Sequence, residues 1–123
     1  MSRPPLIAVV DDDESFRPAL VESLSSLGYG VRDFPSAEDL VASGSEMSYD
    51  CIITDIHLTG MSGIDLKSQL TRRGVNVPVI MITGRSDPTL EVKAAAGGAV
   101  GLLRKPFESS TLVAHLERVL GAR

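Results

Sequence analysis

Three carboxylates in a row, Asp11, Asp12 and Asp13, follow directly on the apolar run "LIAVV". Unit charges about 4 Å apart repel by roughly 1 kcal/mol in water and by more near a protein surface. Such a stretch either caps a helix or holds something positive. Three other apolar runs end in groups of matching chemistry: Asp55 in "TDIH", Thr83 in "MITGRSD" and Lys105 in "LLRKPF". Carboxylate oxygens with waters suit Mg2+, which takes few protein ligands and keeps much of its octahedron open. A phosphoryl group on Asp55 would present three equatorial oxygens, one each for Mg2+, the Thr83 hydroxyl and the Lys105 ammonium. Phosphoryl transfer needs chiefly this positioning and charge neutralisation, and a carboxylate nucleophile has precedent.

That chemistry requires residues far apart in the chain to meet. The apolar runs lie at 6–10, 30–34, 50–54, 77–83 and 99–103 and are too short for buried helices. The first, third and fourth are apolar almost throughout, as parallel strands covered on both faces are. "GVRDF" (30–34) is more polar and reads as an edge strand. Helix-period segments alternate with the runs. Phe16, Leu20, Leu24 and Leu27 form one stripe that stops at Gly28, with Pro18 tolerable in its first turns. Ser36 is a candidate N-cap for a segment carrying Ala37, Leu40 and Val41. Leu66 and Leu70 mark a helix ending near Gly74, an Ala-rich helix over 88–96 ends at Gly97–Gly98, and Leu112, Leu116, Val119 and Leu120 stripe the last helix.

Strand–helix alternation of this kind predicts an α/β fold: a doubly wound, five-stranded parallel sheet in the order 2-1-3-4-5, with helices on both faces. Ligands bind such sheets at the carboxyl ends of the strands. That edge would gather Asp11, Asp12, Asp55, Thr83 and Lys105, while the second run offers only Ser36. A length of 123 residues suits one domain over 1–123, and 43% hydrophobic with 23% charged residues is ordinary for a globular chain. The formal charge of −4 argues against a nucleic-acid surface. No apolar run reaches membrane-spanning length, "MSRPP" lacks the apolar core of a signal peptide, and the single cysteine, Cys51, fits a reducing compartment. A cytoplasmic protein is expected, with Cys51 a small core residue.

In order and spacing, "VVDDDES", "TDIHLTGMSGIDL", "PVIMITG" and "LLRKPF" resemble the receiver domains of two-component response regulators. The resemblance covers essentially the whole chain and implies a flavodoxin-like (βα)5 fold. It implies a phospho-accepting signalling module supplied by a histidine kinase or phosphotransfer protein, and no enzyme beyond its own phosphorylation and dephosphorylation. By position, Asp55 matches the phosphoacceptor, Asp11 and Asp12 the metal-binding acids, Thr83 the switch hydroxyl and Lys105 the site lysine. The carbonyl of His57 matches a further Mg2+ ligand, its ring having no expected role. The resemblance also implies a cis Lys105–Pro106 bond, a state seen in about 5–6% of X-Pro bonds. Asp13 is left to cap the following helix, and His115 to the surface. Arg85 is a candidate for tuning phosphoryl lifetime. Val92, Ala95 and Val100 could give an apolar face that pairs two copies, within a homodimer surface expected on the fourth helix, fifth strand and fifth helix.

Two positions depart from the family's pattern. Thr59 stands where proline is usual, which predicts a looser loop after the third strand. Leu102 stands where an aromatic usually moves together with the threonine, so the switch need not run in the usual way. Two other functions fit parts of the sequence. Asp11-x-Asp13 after an apolar strand is also the start of a haloacid-dehalogenase-like, Mg-dependent phosphatase with Asp11 as nucleophile, but only Glu108 and Glu117 follow Lys105 to supply its later acidic motif. Leu102 is compatible with a receiver-like scaffold that acts without phosphorylation.

Overall fold

The apolar run Leu6–Val10 forms β1, the second strand of a five-stranded sheet in the order β2-β1-β3-β4-β5. The computed structural model describes residues 4–45, 48–85 and 87–121. In chain order the remaining elements are α1 (Phe16–Ser26), β2 (Gly30–Phe34), α2 (Ala37–Ala42), β3 (Cys51–Asp55), α3 (Gly63–Arg72), β4 (Val79–Thr83), α4 (Pro88–Ala96), β5 (Gly101–Arg104) and α5 (Ser109–Leu120). Every strand pair is parallel. This is the expected doubly wound α/β architecture.

Side-chain alternation splits the core into two layers. Ala8, Val10, Ile52, Val79 and Met81 face α2, α3 and α4, packing on Leu40, Leu66, Leu70 and Ala94. Ile7, Val9, Ile53, Ile80 and Ile82 face α1 and α5, packing on Leu20, Leu24, Leu112 and Leu116. β1, β3 and β4 are therefore covered on both sides, which is why they read as unbroken apolar runs. Cys51 belongs to the second layer and is fully buried. Its burial pushes the thiol up to about 12.

Several boundaries differ from those the sequence predicts. β3 begins at Cys51, one residue past the predicted start. Asp50 just before it is joined twice to Leu6, its N–H donating to the Leu6 carbonyl and its carboxylate accepting the Leu6 N–H, each at 2.8 Å. β4 begins after Pro78, which has no N–H to donate. β5 is displaced towards the C-terminus because the Ala99 N–H is used to close α4 on the Ala94 carbonyl. Leu27 lies beyond the last turn of α1 and is 51% exposed, so it is not part of the buried stripe. Arg17 takes the place on that stripe, buried with Leu20 and Leu24. The Lys105–Pro106 bond is cis. Among the described residues, no helix is long and apolar enough to cross a membrane.

Candidate functional site

Register puts the chemistry on one edge. Val10 pairs with Thr54, Asp55 with Ile82, and Thr83 with Arg104. Asp11, Asp55, Thr83 and Lys105 therefore emerge together at the carboxyl ends of four adjacent strands. The Lys105 N–H donates to the Thr83 carbonyl at 2.7 Å, which carries the β5 direction one residue past the strand. The Lys105 ammonium lies between two carboxylates, donating to Asp11 Oδ2 at 3.1 Å and to Asp55 Oδ2 at 3.0 Å. It also sits 4.0 Å from the centroid of the Phe16 ring, a cation–π contact. The two other carboxylate oxygens are held locally, Asp11 Oδ1 by the Asp13 N–H and Asp55 Oδ1 by the His57 N–H, each at 2.9 Å.

The Asp11 side chain is 1% exposed, Asp55 9% and Lys105 20%. Burial raises the Asp11 carboxyl above the ordinary carboxylate range, assisted by the nearby Asp55 and opposed by the Asp13 N–H and Lys105. Burial alone would lower the Lys105 ammonium, but its hydrogen bonds to Asp55 and Asp11 outweigh this and leave its pKa raised. Asp13 is lowered by the Phe16 and Ser15 N–H groups, both donating to its Oδ1. It does cap the start of α1.

The other expected residues have different neighbours. Asp12 Oδ2 accepts from Thr59 twice, from its N–H at 3.1 Å and its Oγ1 at 3.2 Å. Far from loosening the connection after β3, Thr59 ties it to the acid loop, which a proline lacking both donors could not do. The Thr83 hydroxyl turns away from the lysine bridge, accepting from the Arg85 N–H at 3.0 Å and donating to the Arg85 carbonyl at 3.2 Å. The His57 ring Nε2 is buried with no hydrogen-bond partner among the described residues. A cleft of about 640 Å³ runs alongside, lined by Asp12, His57, Thr59, Asp65, Arg85 and Lys93 among others. It borders the acid loop, and Asp55 itself lies outside it. His115 is half-buried, its Nδ1 3.0 Å from Arg118 Nη2.

Three supporting residues escape the sequence reading. Arg17 is buried beneath the acid loop. Its Nη1 donates to the Asp11 carbonyl at 2.8 Å, its Nε to Asp33 at 2.9 Å, and its fork to both Glu14 oxygens at 2.9 Å. A cation on the apolar stripe with Leu20 and Leu24 was the available signal. Glu38 reaches from α2 to accept the Met61 N–H at 2.7 Å. Gly63 opens α3 where any side chain would collide with the Asp55 carbonyl oxygen.

Mg2+ suits this donor set. Two buried carboxylates sharing one ammonium, with Asp11 raised by burial, form a site in which a divalent cation would relieve like charge. Among the described residues, no group of three His, Cys, Asp or Glu side chains is arranged to hold a metal. Mg2+ does not require one, since it binds through one or two carboxylates and retains waters.

A family model described as the response regulator receiver domain matches residues 7–117. Transcriptional regulatory protein FixJ of Azorhizobium caulinodans is 36% identical over 115 residues, 94% of this chain and 54% of that protein. The chain thus spans about half the length of the curated relatives it matches. The crystal structure of FixJ-N is 33% identical with a TM-score of 0.87, covering 97% of this chain and 94% of that one. The BeF3-activated DrrB receiver domain is 30% identical with a TM-score of 0.85, covering 96% and 98%.

Proposed function

The chain belongs to the family of response regulator receiver domains, and from that premise we propose that Asp55 accepts a phosphoryl group from a histidine kinase or phosphotransfer protein. The observation that carries the proposal is the Lys105 ammonium held at 3.0 Å from Asp55 and 3.1 Å from Asp11 at the strand ends. An Asp55 oxygen attacks phosphorus, and the bond from phosphorus to the donor nitrogen breaks. Lys105 follows the negative charge onto a phosphoryl oxygen, acting as a point charge. Thr83 exchanges its bonds to Arg85 for another phosphoryl oxygen. Asp11, Asp12, Asp55 and the His57 carbonyl would hold Mg2+, which when bound neutralises charge on the incoming group.

Chemistry is confined to the gain and loss of this one group, and the added charge of about −1.5 to −2 switches an output surface. In this reading residues 1–123 act as one receiver domain in the cytoplasm. With a formal charge of −4, the domain contacts proteins rather than nucleic acid or membrane.

The test is incubation with acetyl phosphate and Mg2+ followed by intact mass measurement. Wild type gains one phosphoryl group and Asp55→Asn gains none. A wild type left unmodified by acetyl phosphate, phosphoramidate and an active histidine kinase overturns the proposal. So does turnover of a phosphate ester that depends on Asp11 and survives Asp55→Asn.

A further inference from the structure

We propose that Thr59 is a positioning residue for the cation site, holding one oxygen of Asp12 so that the other stays available to Mg2+. The inference rests on the metal-dependent reading above and deepens it.

The three acids after β1 are restrained differently. Asp11 is held by Lys105 and by the Asp13 N–H. Asp13 is held by the backbone at the start of α1. Asp12 is exposed, and its carboxylate is tied across 47 residues of sequence by Thr59, whose N–H and hydroxyl both donate to Oδ2 at 3.1 and 3.2 Å. Among the described residues, no hydrogen bond reaches Asp12 Oδ1.

Thr59 can restrain Asp12 because its own loop is anchored on both sides. The Asp55 carboxylate takes the His57 N–H, the Ile56 carbonyl takes the Gly63 N–H at 3.0 Å, and Glu38 takes the Met61 N–H at 2.7 Å. A side chain that would otherwise rotate in water is left with one oxygen occupied and one free. Carboxylates that ligate metals are commonly hydrogen-bonded in this way, and loss of the outer partner typically costs about 10–100-fold in affinity. Here the two bonds are exposed, so the lower end of that range applies.

The test is titration of the protein with Mg2+ alone, followed by NMR of backbone amides in wild type, Thr59→Val, Thr59→Ser, Thr59→Pro and Asp12→Asn, with a melting curve to establish that each is folded. Asp12→Asn weakens binding, and Mg2+ affinity unchanged in that variant overturns the inference. Thr59→Val, which keeps the N–H and loses the hydroxyl, weakens it about threefold, and Thr59→Pro, which loses both donors, about tenfold. Thr59→Ser restores wild-type affinity, which a purely steric role would not predict. If wild type binds Mg2+ through Asp12 while Thr59→Val and Thr59→Pro bind equally well, the inference is overturned and the metal-dependent reading stands. Tighter binding by Thr59→Val also overturns it, because the threonine would then be competing for the carboxylate. Absence of Mg2+ binding by wild type overturns both.

Discussion

Asp11 carries its charge in a place that disfavours it. Burial raises its carboxyl, with only partial relief from Lys105 and the Asp13 N–H. A carboxyl raised on folding contributes stability in full below its unfolded value of 3.8, and that contribution is lost as pH rises through the folded value. Neutral pH therefore includes an electrostatic cost, and Asp11→Asn is expected to raise the melting temperature of the metal-free protein at pH 7. The gain should shrink towards pH 3, and Mg2+ should stabilise wild type more than the variant. Thermal scans in EDTA across pH measure this, and a lower melting temperature for the variant at pH 7 would refute it. Arg17 invites the opposite substitution. Its carboxylate partners Glu14 and Asp33 are 73% and 42% exposed and return to water when it is removed. What cannot return is the buried Asp11 carbonyl. Arg17→Met should therefore cost about 2 kcal/mol, the penalty of one stranded acceptor, rather than the about 3–5 kcal/mol of a broken buried ion pair. Urea unfolding with an unchanged slope would measure it, and a loss under about 0.5 kcal/mol would mean that water replaces the guanidinium. Asp11, Asp55 and Lys105 could be placed together from sequence because each follows a strand-like run. Arg17 under Asp11 and Thr59 on Asp12 could not, because their contacts depend on side-chain reach across the fold, which periodicity does not encode.

At the scale of elements, the connection from β3 to α3 does the most to fix Asp55, the proposed acceptor. Ser62 caps α3 by accepting the Asp65 N–H at 3.0 Å. The next residue, Gly63, lies against the Asp55 carbonyl so closely that an added Cβ would also come within 3.1 Å of the Asp55 carbonyl carbon and the Ile56 Cα. These are backbone atoms at the end of a central strand and of the residue after it, and they cannot swing aside. Replacing glycine by alanine in a helix ordinarily gains about 0.5–1 kcal/mol. Forced overpacking costs about 1–3 kcal/mol and should win here. Gly63→Ala is expected to destabilise the protein and slow phosphoryl gain at Asp55 by displacing α3 from the strand end. Ser62→Ala serves as the comparison. Loss of its cap should cost about 1 kcal/mol and leave the acceptor's rate largely unchanged. Equal rates for the two variants would remove Gly63 from any role at the site. Element type was legible throughout the chain, since period-2 and period-3.6 patterning separates strands from helices. Strand ends were less so: β4 and β5 are each set by one local event, the missing N–H of Pro78 and the closure of α4 by Ala99.

Across the whole molecule, β4 stands between Asp55 on β3 and the face of α4 and β5 that would carry the signal. In the proposed switch Thr83 would link them, since its hydroxyl, now bonded to the Arg85 peptide, would have to give up those bonds to hold a phosphoryl oxygen. Leaving Arg85 would release its peptide ahead of α4. There Val92 is 68% exposed, and Val100, just before β5, is 40% exposed, so two large apolar side chains lie in water on one side of the fold. Leu102 on β5 lines a small recess with Ala94, Ala95 and Val100. A branched aliphatic there can transmit a shift of α4 by repacking, without the ring rotation an aromatic would provide. Phosphorylation should accordingly strengthen self-association through this face, with a coupling of at least about tenfold in dissociation constant, or about 1.4 kcal/mol. Sedimentation velocity with and without acetyl phosphate is the measurement. Wild type should shift from monomer towards dimer. Val92→Lys should gain the phosphoryl group and stay monomeric, because a charge would then be buried between copies. Thr83→Ala should gain the group more slowly and also fail to associate, since the Arg85 segment no longer responds to it. Phosphorylated wild type that remains monomeric would refute pairing through this face. Normal association by phosphorylated Thr83→Ala would instead show that the signal leaves Asp55 by a route other than the threonine.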